Sequence, residues 1–345
     1  MLFFRKKDEE EEVDGRKTVS RKPRRKKKEP PKPWTKKERY ILLFVLVSTV
    51  LISGTLALYA REWKLPGFPR ISVSKISFFD STPIVIDGDS VNVSEEDRKK
   101  ADQIKKQFRL ETKDLSGVYG FYLIDLDSAY GFGIDQKETF QAASLVKLPV
   151  MAGMYLKAQR DNFDLDSTYV LQEEDKVDGS GSLYGEPEGY ELSYRDLIGL
   201  MGKQSDNTSF NVARNLLGDE VIKEVISEFG MENTYLETNE TTLEDIGTFF
   251  DNLYQSSVLT RQDSEEMLGF LTDTIYESWM AAGIPENVRV AHKFGREIHV
   301  VNDGGVIYYE KPFVLVIMSK GVIENEADEV FPELSRSIFS TWVSN

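Results

Sequence analysis

From Tyr40 to Ala60 the chain runs for 21 residues without a charge. A helix of that length spans a hydrocarbon layer of about 30 Å, and the run separates two parts of opposite character. Residues 1–39 hold 16 Lys+Arg against 8 Asp+Glu, a net of +8. Residues 40–345 hold 27 Lys+Arg against 50 Asp+Glu, a net of −23. Basic residues ahead of an apolar span predict a cytoplasmic N-terminus and a body outside the membrane. Trp34 and Tyr40 near one end, and Tyr59 and Trp63 near the other, suit interfacial anchoring. A cleaved signal peptide has a shorter apolar core and a small-x-small cleavage site, and no clean site of that kind precedes Arg61. The expectation is therefore an uncleaved single-pass anchor, residues 40–60, behind a disordered basic tail, residues 1–39. The strongly acidic body excludes nucleic acid as a partner. With no cysteine in the chain, disulfides, thiol nucleophiles and cysteine metal sites are excluded, and no metal or cofactor motif is present.

Beyond the anchor, residues 61–94 mix Pro66, Gly67, Pro69 and Pro83 with the β-prone run Ile84-Val85-Ile86, which reads as a stalk able to add an edge strand. Residues 95–345 read as one domain. Ser94-Glu95-Glu96-Asp97 opens a helix reaching about Leu110. Gly117–Leu126 and Tyr130–Ile134 read as strands joined at Asp127-Ser128. Residues 145–287 then turn helical. Helices are expected at Tyr194–Gly202, from the Ser205-Asp206-Asn207 turn to Gly218, from an Asp219 cap to Gly230, at Leu243–Leu253 and at Thr260–Tyr276. Strands return at Val288–Phe294, His299–Tyr309 and Pro312–Ser319, and a helix from about Ala327 to Val343 closes the chain. Strands joined by short turns at both ends of the domain, with helices between them, predict an α+β fold. Its antiparallel sheet is built from both ends of the domain and carries an inserted all-α subdomain.

Three short motifs carry chemistry. In Phe140–Val150, Ser144 and Lys147 are three residues apart, which on a helix places them on one face. A serine hydroxyl becomes nucleophilic when a base takes its proton, and a desolvated lysine can be that base. Ser-x-x-Lys also occurs in helices where the lysine is simply solvated, so the pair gains meaning from its partners. Ser205-Asp206-Asn207 follows Ser144 by 61 residues, and Lys293-Phe294-Gly295 begins 88 residues after Ser205. Pro149 is best tolerated in the first turn of a helix, which puts Ser144 at or near a helix N-terminus and its positive dipole end.

Ser-x-x-Lys, Ser-Asp-Asn and a Lys-x-Gly strand in this order and spacing resemble the class A β-lactamases and related penicillin-recognising serine enzymes. The resemblance covers roughly residue 95 to the C-terminus. It implies that Ser144 attacks a β-lactam or a D-alanyl amide of a peptidoglycan stem peptide, forming an acyl-enzyme. It also implies Lys147 as the base, Ser205 as proton relay to the leaving nitrogen, Lys293 as a positive charge near Ser205 and the substrate carboxylate, and Asn207 as holder of the substrate amide. The backbone N–H groups of Ser144 and of Arg296, after Gly295, would form the oxyanion hole. His292 and His299 have no role in this scheme and read as structural strand residues. No metal or cofactor is implied.

The chain departs from the family pattern twice. The deacylating Glu-x-x-x-Asn of the Ω-loop is missing from the eleven residues between Gly230 and Thr242, where only Glu237 or Glu240 could substitute. Phe294 stands where the family has a Thr or Ser hydroxyl on the substrate carboxylate, and the loss of such a charge-assisted bond costs on the order of 1.5–3 kcal/mol. Arg296 is the nearby candidate to compensate. Acylation thus reads as intact and deacylation as reduced. The open alternatives are a β-lactamase, a D-Ala-D-Ala carboxypeptidase of penicillin-binding type, and a non-catalytic peptidoglycan-binding module.

Overall fold

The computed structural model describes residues 93–344, together with Lys37 and residues 46–49. Most of the basic tail, of the stalk and of the expected span 40–60 lies outside the described residues. Among the described residues no helix is long and apolar enough to cross a membrane.

The domain opens as the sequence predicts. Ser94 Oγ accepts from Asp97 N at 3.0 Å and caps α1, Glu95–Thr112. Strand β1 (Val118–Asp125) turns back into β2 (Gly131–Ile134), with Asp125 Oδ1 accepting from the backbone N–H and the hydroxyl of Ser128, both at 2.7 Å. After the short strand β3 (Thr139–Gln141) comes the helical block: α2 (Lys147–Asp161), α3 (Tyr194–Gln204), α4 (Asn207–Leu217), α5 (Asp219–Glu228), α6 (Leu243–Tyr254) and α7 (Arg261–Phe270). Within it lie the short strands β4 (Thr168–Val170), β5 (Glu191–Ser193) and β6 (Glu240–Thr242). The chain ends with β7 (Arg289–Glu297), β8 (Val300–Tyr308), β9 (Phe313–Lys320) and α8 (Glu324–Val343). Five strands form one antiparallel sheet in the order β2-β1-β9-β8-β7, so both ends of the domain do build it.

Both faces of that sheet are covered, which is why its strands read as continuous apolar runs. On one face Phe121 and Leu123 pack with Ile104 and Phe108 of α1 and Phe331 and Leu334 of α8. On the other, Tyr122 and Ile124 meet Leu243, Ile246 and Phe250 of α6. The Phe108 and Phe121 rings lie 4.7 Å apart, and burying each stabilises the fold by about 1.5–3 kcal/mol. Helix α2 is the centre of the helical block. Its residues from Lys147 to Leu156 are all buried, the pattern of a helix surrounded by others. Pro149 falls in its first turn, as expected.

Several boundaries differ from the sequence reading, β7 running on to Glu297 and α8 beginning at Glu324 among them. Gly218, at φ +79°, is the N-cap of α5, and Asp219 lies in the first turn with its carboxylate on Arg214 at 2.7 and 2.8 Å. Helix α7 stops at Phe270 rather than Tyr276, because the chain leaves it to bridge Ala291 of β7 from Thr272. His299 is a turn residue between β7 and β8 at φ +60°, with Nδ1 3.0 Å from Val322 O.

The chain after α7 is pinned beneath β7 by a buried ion cluster. His292 is fully buried, with Nδ1 2.7 Å from Asp303 Oδ1 and Nε2 3.2 Å from Glu277 Oε1. Burial alone disfavours the imidazolium, but the two carboxylates outweigh it and raise the pKa to about 9. The stabilisation is therefore present in full below about pH 6.5 and is lost as pH rises through about 9, and its size is of the order of 3 kcal/mol. In urea denaturation, the stability gap between the wild-type protein and His292→Gln should shrink between pH 6.5 and pH 9.5. An equal gap at both pH values refutes the protonated cluster.

Candidate active site

Ser144 sits in a 3-10 turn, Ala143–Val146, that leads directly into α2. The turn depends on Ala143 at φ +50°, a conformation that costs energy for any residue with a Cβ. Its neighbours hold it there. Asn302 of β8, fully buried, donates Nδ2 to Gln141 O at 2.7 Å and to Ala142 O at 3.3 Å, while Ala142 N donates to Asn239 O at 2.7 Å. Asn302 was invisible as a site residue in the sequence, and its one signal was a polar pair, Asn302-Asp303, inside an apolar strand.

Lys147 is 2% exposed, and its Nζ lies in a cage of oxygens: Ser205 O at 2.6 Å, Asn207 Oδ1 at 2.7 Å, Ser144 Oγ at 3.0 Å and Ser205 Oγ at 3.1 Å. Burial lowers its pKa to about 8, against the opposing pull of the Asp206 carboxylate. The two carbonyl oxygens can only accept, so they take two N–H bonds. In the neutral amine this leaves the lone pair for a hydroxyl proton, with Ser144 Oγ 3.0 Å away.

The Ser-Asp-Asn turn delivers those oxygens. Ser205 adopts φ +53° at the end of α3, and Asp206 caps α4 by accepting from Ser209 N at 2.7 Å. The other Asp206 oxygen accepts from Leu183 N at 2.8 Å in the glycine-rich loop, Asp178–Gly185. Gly181 of that loop has φ +92°, and any Cβ there would collide with the Asp206 carboxylate, so no larger residue fits. Asn207 closes the junction: its N donates to Ser180 O at 2.9 Å and its Nδ2 to Asp178 O at 3.0 Å. The latter bond fixes which amide atom faces Lys147.

Strand β7 forms the opposite wall. Gly295 packs against the nucleophile turn so closely that a Cβ would lie 3.1 Å from Ser144 N. Lys293 is 1% exposed and donates to Phe294 O at 2.8 Å; among the described residues it makes no hydrogen bond to Ser205. Burial, and then the charge of Lys147, hold its pKa well below the usual lysine value. Phe294 stacks on Trp279 with ring centres 3.6 Å apart and on Tyr276 at 5.1 Å. Arg296 Nη1 donates to both carboxylate oxygens of Asp328 of α8, at 2.8 and 3.0 Å.

Between Gly230 and Thr242, Tyr235 and Glu240 exchange backbone hydrogen bonds at 2.8 and 3.2 Å and close a tight hairpin. Glu237 pairs with Lys223 at 2.7 Å on the surface. Glu240 accepts from Thr238 Oγ1 at 2.9 Å. Neither carboxylate hydrogen-bonds Ser144 or Lys147. Asn239, at φ +53°, ties the hairpin to the end of β7 through Glu297 at 3.0 Å.

Solved structures share this fold. A β-lactamase from Sphaerobacter thermophilus is 23% identical, with a TM-score of 0.66 over 72% of this chain and 98% of that one. PBP-A is 22% identical, with a TM-score of 0.65 over 71% and 96%. A single-site mutant of the class A β-lactamase of the last common ancestor of Gram-negative bacteria is 21% identical, with a TM-score of 0.66 over 70% and 98%. No match is found among curated protein sequences. At these identities the structures establish the fold alone, and the family follows from sequence: the profile described as "Beta-lactamase enzyme family" matches residues 99–342, and the chain belongs to that family.

Proposed function

We propose that the domain is a serine acyl-transfer enzyme that forms an acyl-enzyme on Ser144 with β-lactams or with the D-alanyl amide of peptidoglycan stem peptides, and releases the acyl group slowly. The observation that carries this reading is the buried Lys147, whose N–H bonds are claimed by two carbonyls and whose Nζ lies 3.0 Å from Ser144 Oγ. A solvated lysine or a binding module has no need of such a cage.

In the proposed sequence the neutral Lys147 amine takes the Ser144 proton as Oγ attacks the carbonyl carbon. The developing oxyanion is held by the N–H groups of Ser144 and Arg296, beside Gly295. The positive end of the α2 dipole lies at the same point. As the C–N bond breaks, Ser205 Oγ passes a proton to the leaving nitrogen and regains one from Lys147, 3.1 Å away. Asn207 and Lys293 hold the substrate's amide and carboxylate ends; with Phe294 turned into an aromatic stack, the carboxylate has no hydroxyl from that position. Deacylation needs a placed water, and the hairpin Tyr235–Glu240 supplies no carboxylate beside Ser144. The structure of a PBP-A mutant is described as an acyl-enzyme complex with penicillin G, which supports a penicillin adduct as the species to look for. In the same reading, residues 40–60 anchor the enzyme in the membrane with the domain outside the cytoplasm, where its substrates are.

Full-length protein incubated with a fluorescent penicillin should gain the mass of one penicillin and keep it for many minutes, and Ser144→Ala should gain nothing. Rapid nitrocefin turnover, abolished in Ser144→Ala, would overturn slow deacylation, and the absence of any adduct would overturn the acyl-transfer reading. Acylation should also follow the neutral form of Lys147, rising with pH to a plateau above about 8. Lys147→Arg, which stays charged, should acylate about 10²–10⁴-fold more slowly. A flat pH profile between 6 and 9 argues against Lys147 as the base.

A further inference from the structure

Phe294 and the segment after α7 are unexplained by the roles assigned so far, and they meet at one residue. Tyr276 places its hydroxyl 2.6 Å from Ser180 Oγ and donates to Gln204 O at 3.2 Å. Ser180 Oγ, 3.0 Å from the same carbonyl, gives its single proton to the Tyr276 hydroxyl across the 2.6 Å contact. Gln204 is the residue before Ser205, and Ser180 O is the acceptor for Asn207 N, so the two hydroxyls brace both sides of the Ser-Asp-Asn turn. The Tyr276 ring lies flat on Phe294, at 5.1 Å and 24°, and Phe294 O is the acceptor for Lys293 Nζ. Trp279 covers the other side of Phe294 at 3.6 Å and is itself held by Asp328 at 2.7 Å. Thr274 and Glu277, hydrogen-bonded to each other around Tyr276, fix the backbone, and Glu277 is anchored on His292.

We propose that Tyr276 is a positioning residue for Ser205, held in place by the Phe294 ring. It sets the distance between the Ser-Asp-Asn turn and strand β7, the two walls that must grip one substrate. Ser205 adopts φ +53°, and among the described residues its hydroxyl is hydrogen-bonded to Lys147 alone, so its orientation depends on the carbonyl before it staying put. Phe294 is then the stacking surface that fixes Tyr276, and the hydroxyl lost from that position is exchanged for alignment of the proton relay. The inference rests on the acyl-transfer reading and names a residue that acts within it through Ser205, without touching substrate.

Two reagents separate positioning from general weakening. Cleaving a penicillin amide requires a proton on the leaving nitrogen, whereas a thioester of a D-alanyl-type acyl group leaves as a thiolate and needs none. Tyr276→Phe keeps the ring on Phe294 and removes the hydroxyl. In full-length protein it should slow penicillin acylation about five- to tenfold, leave thioester acylation within about twofold, and leave the melting temperature within about 2 °C. Ser180→Ala should do the same, and the double variant should be no slower than either single one, because both remove one bridge. Equal loss with both reagents, or no loss with penicillin, overturns the proposal. If wild-type protein reacts with neither reagent, the acyl-transfer reading fails. The inference is then decided by lysine NMR: a Lys147 pKa higher in Tyr276→Phe than in the wild-type protein, as water enters the loosened turn, supports positioning, and an unchanged one overturns it.

Discussion

The site depends on one buried ammonium group that the fold declines to neutralise. Lys147 could have been given a carboxylate, which would have kept it charged and useless as a base. It is given instead a backbone carbonyl, Ser205 O, and an amide oxygen, Asn207 Oδ1, which accept hydrogen bonds without supplying a full negative charge. The nearest carboxylate, Asp206, is fully buried, and its oxygens are bound by Ser209 N and Leu183 N. Desolvation therefore wins and the pKa falls. The left-handed Ser205, the cap of α4 and the glycine-rich loop all serve to bring two uncharged acceptors to Nζ while keeping water out.

The fold and the residues of the candidate site could be read in the sequence for a physical reason. Ser144, Lys147, Ser205, Asn207 and Lys293 are each fixed by a local motif: a turn into a helix, a cap, a strand end. Local motifs leave local signatures, and the structure brings these residues to the two walls of one cleft. Asn302, Ser180 and Tyr276 act across long separations, and their own neighbourhoods mark them weakly, Asn302 only by the polar pair it forms with Asp303 inside an apolar strand. Helix boundaries failed where tertiary contacts prevailed over local pattern. The apolar spacing of Thr260–Tyr276 continues past Phe270, yet Thr272 leaves to bridge Ala291, and Ile275 N donates to Lys203 O.

Phe294 shows the limit of reading a motif one position at a time. Against the family pattern it registers only as a lost hydroxyl, about 1.5–3 kcal/mol of carboxylate binding. In the structure it is 6% exposed between Trp279 and Tyr276, with ring centres 3.6 and 5.1 Å away. Stacked aromatic pairs add about 0.5–1.5 kcal/mol each beyond their burial, so the exchange is close to even in energy. It moves the interaction from the substrate to the protein. Arg296 likewise has a partner within the protein, its Nη1 donating to Asp328.

The same reasoning separates the two halves of acyl transfer. Acylation needs a base and a relay, and both are built from groups buried against α2, the helix that the whole helical block surrounds. Lys147 and Ser205 are both buried with the core. Deacylation needs a water and a base held outside that core, on the segment between α5 and α6. That segment is a hairpin closed by two backbone hydrogen bonds between Tyr235 and Glu240, with Glu237 pointing to Lys223 at the surface. Its length could change while the packing of α5 and α6 stayed intact. In the proposed reading the first step can be kept while the second slows, because the two are held by parts of the structure with very different tolerance for change.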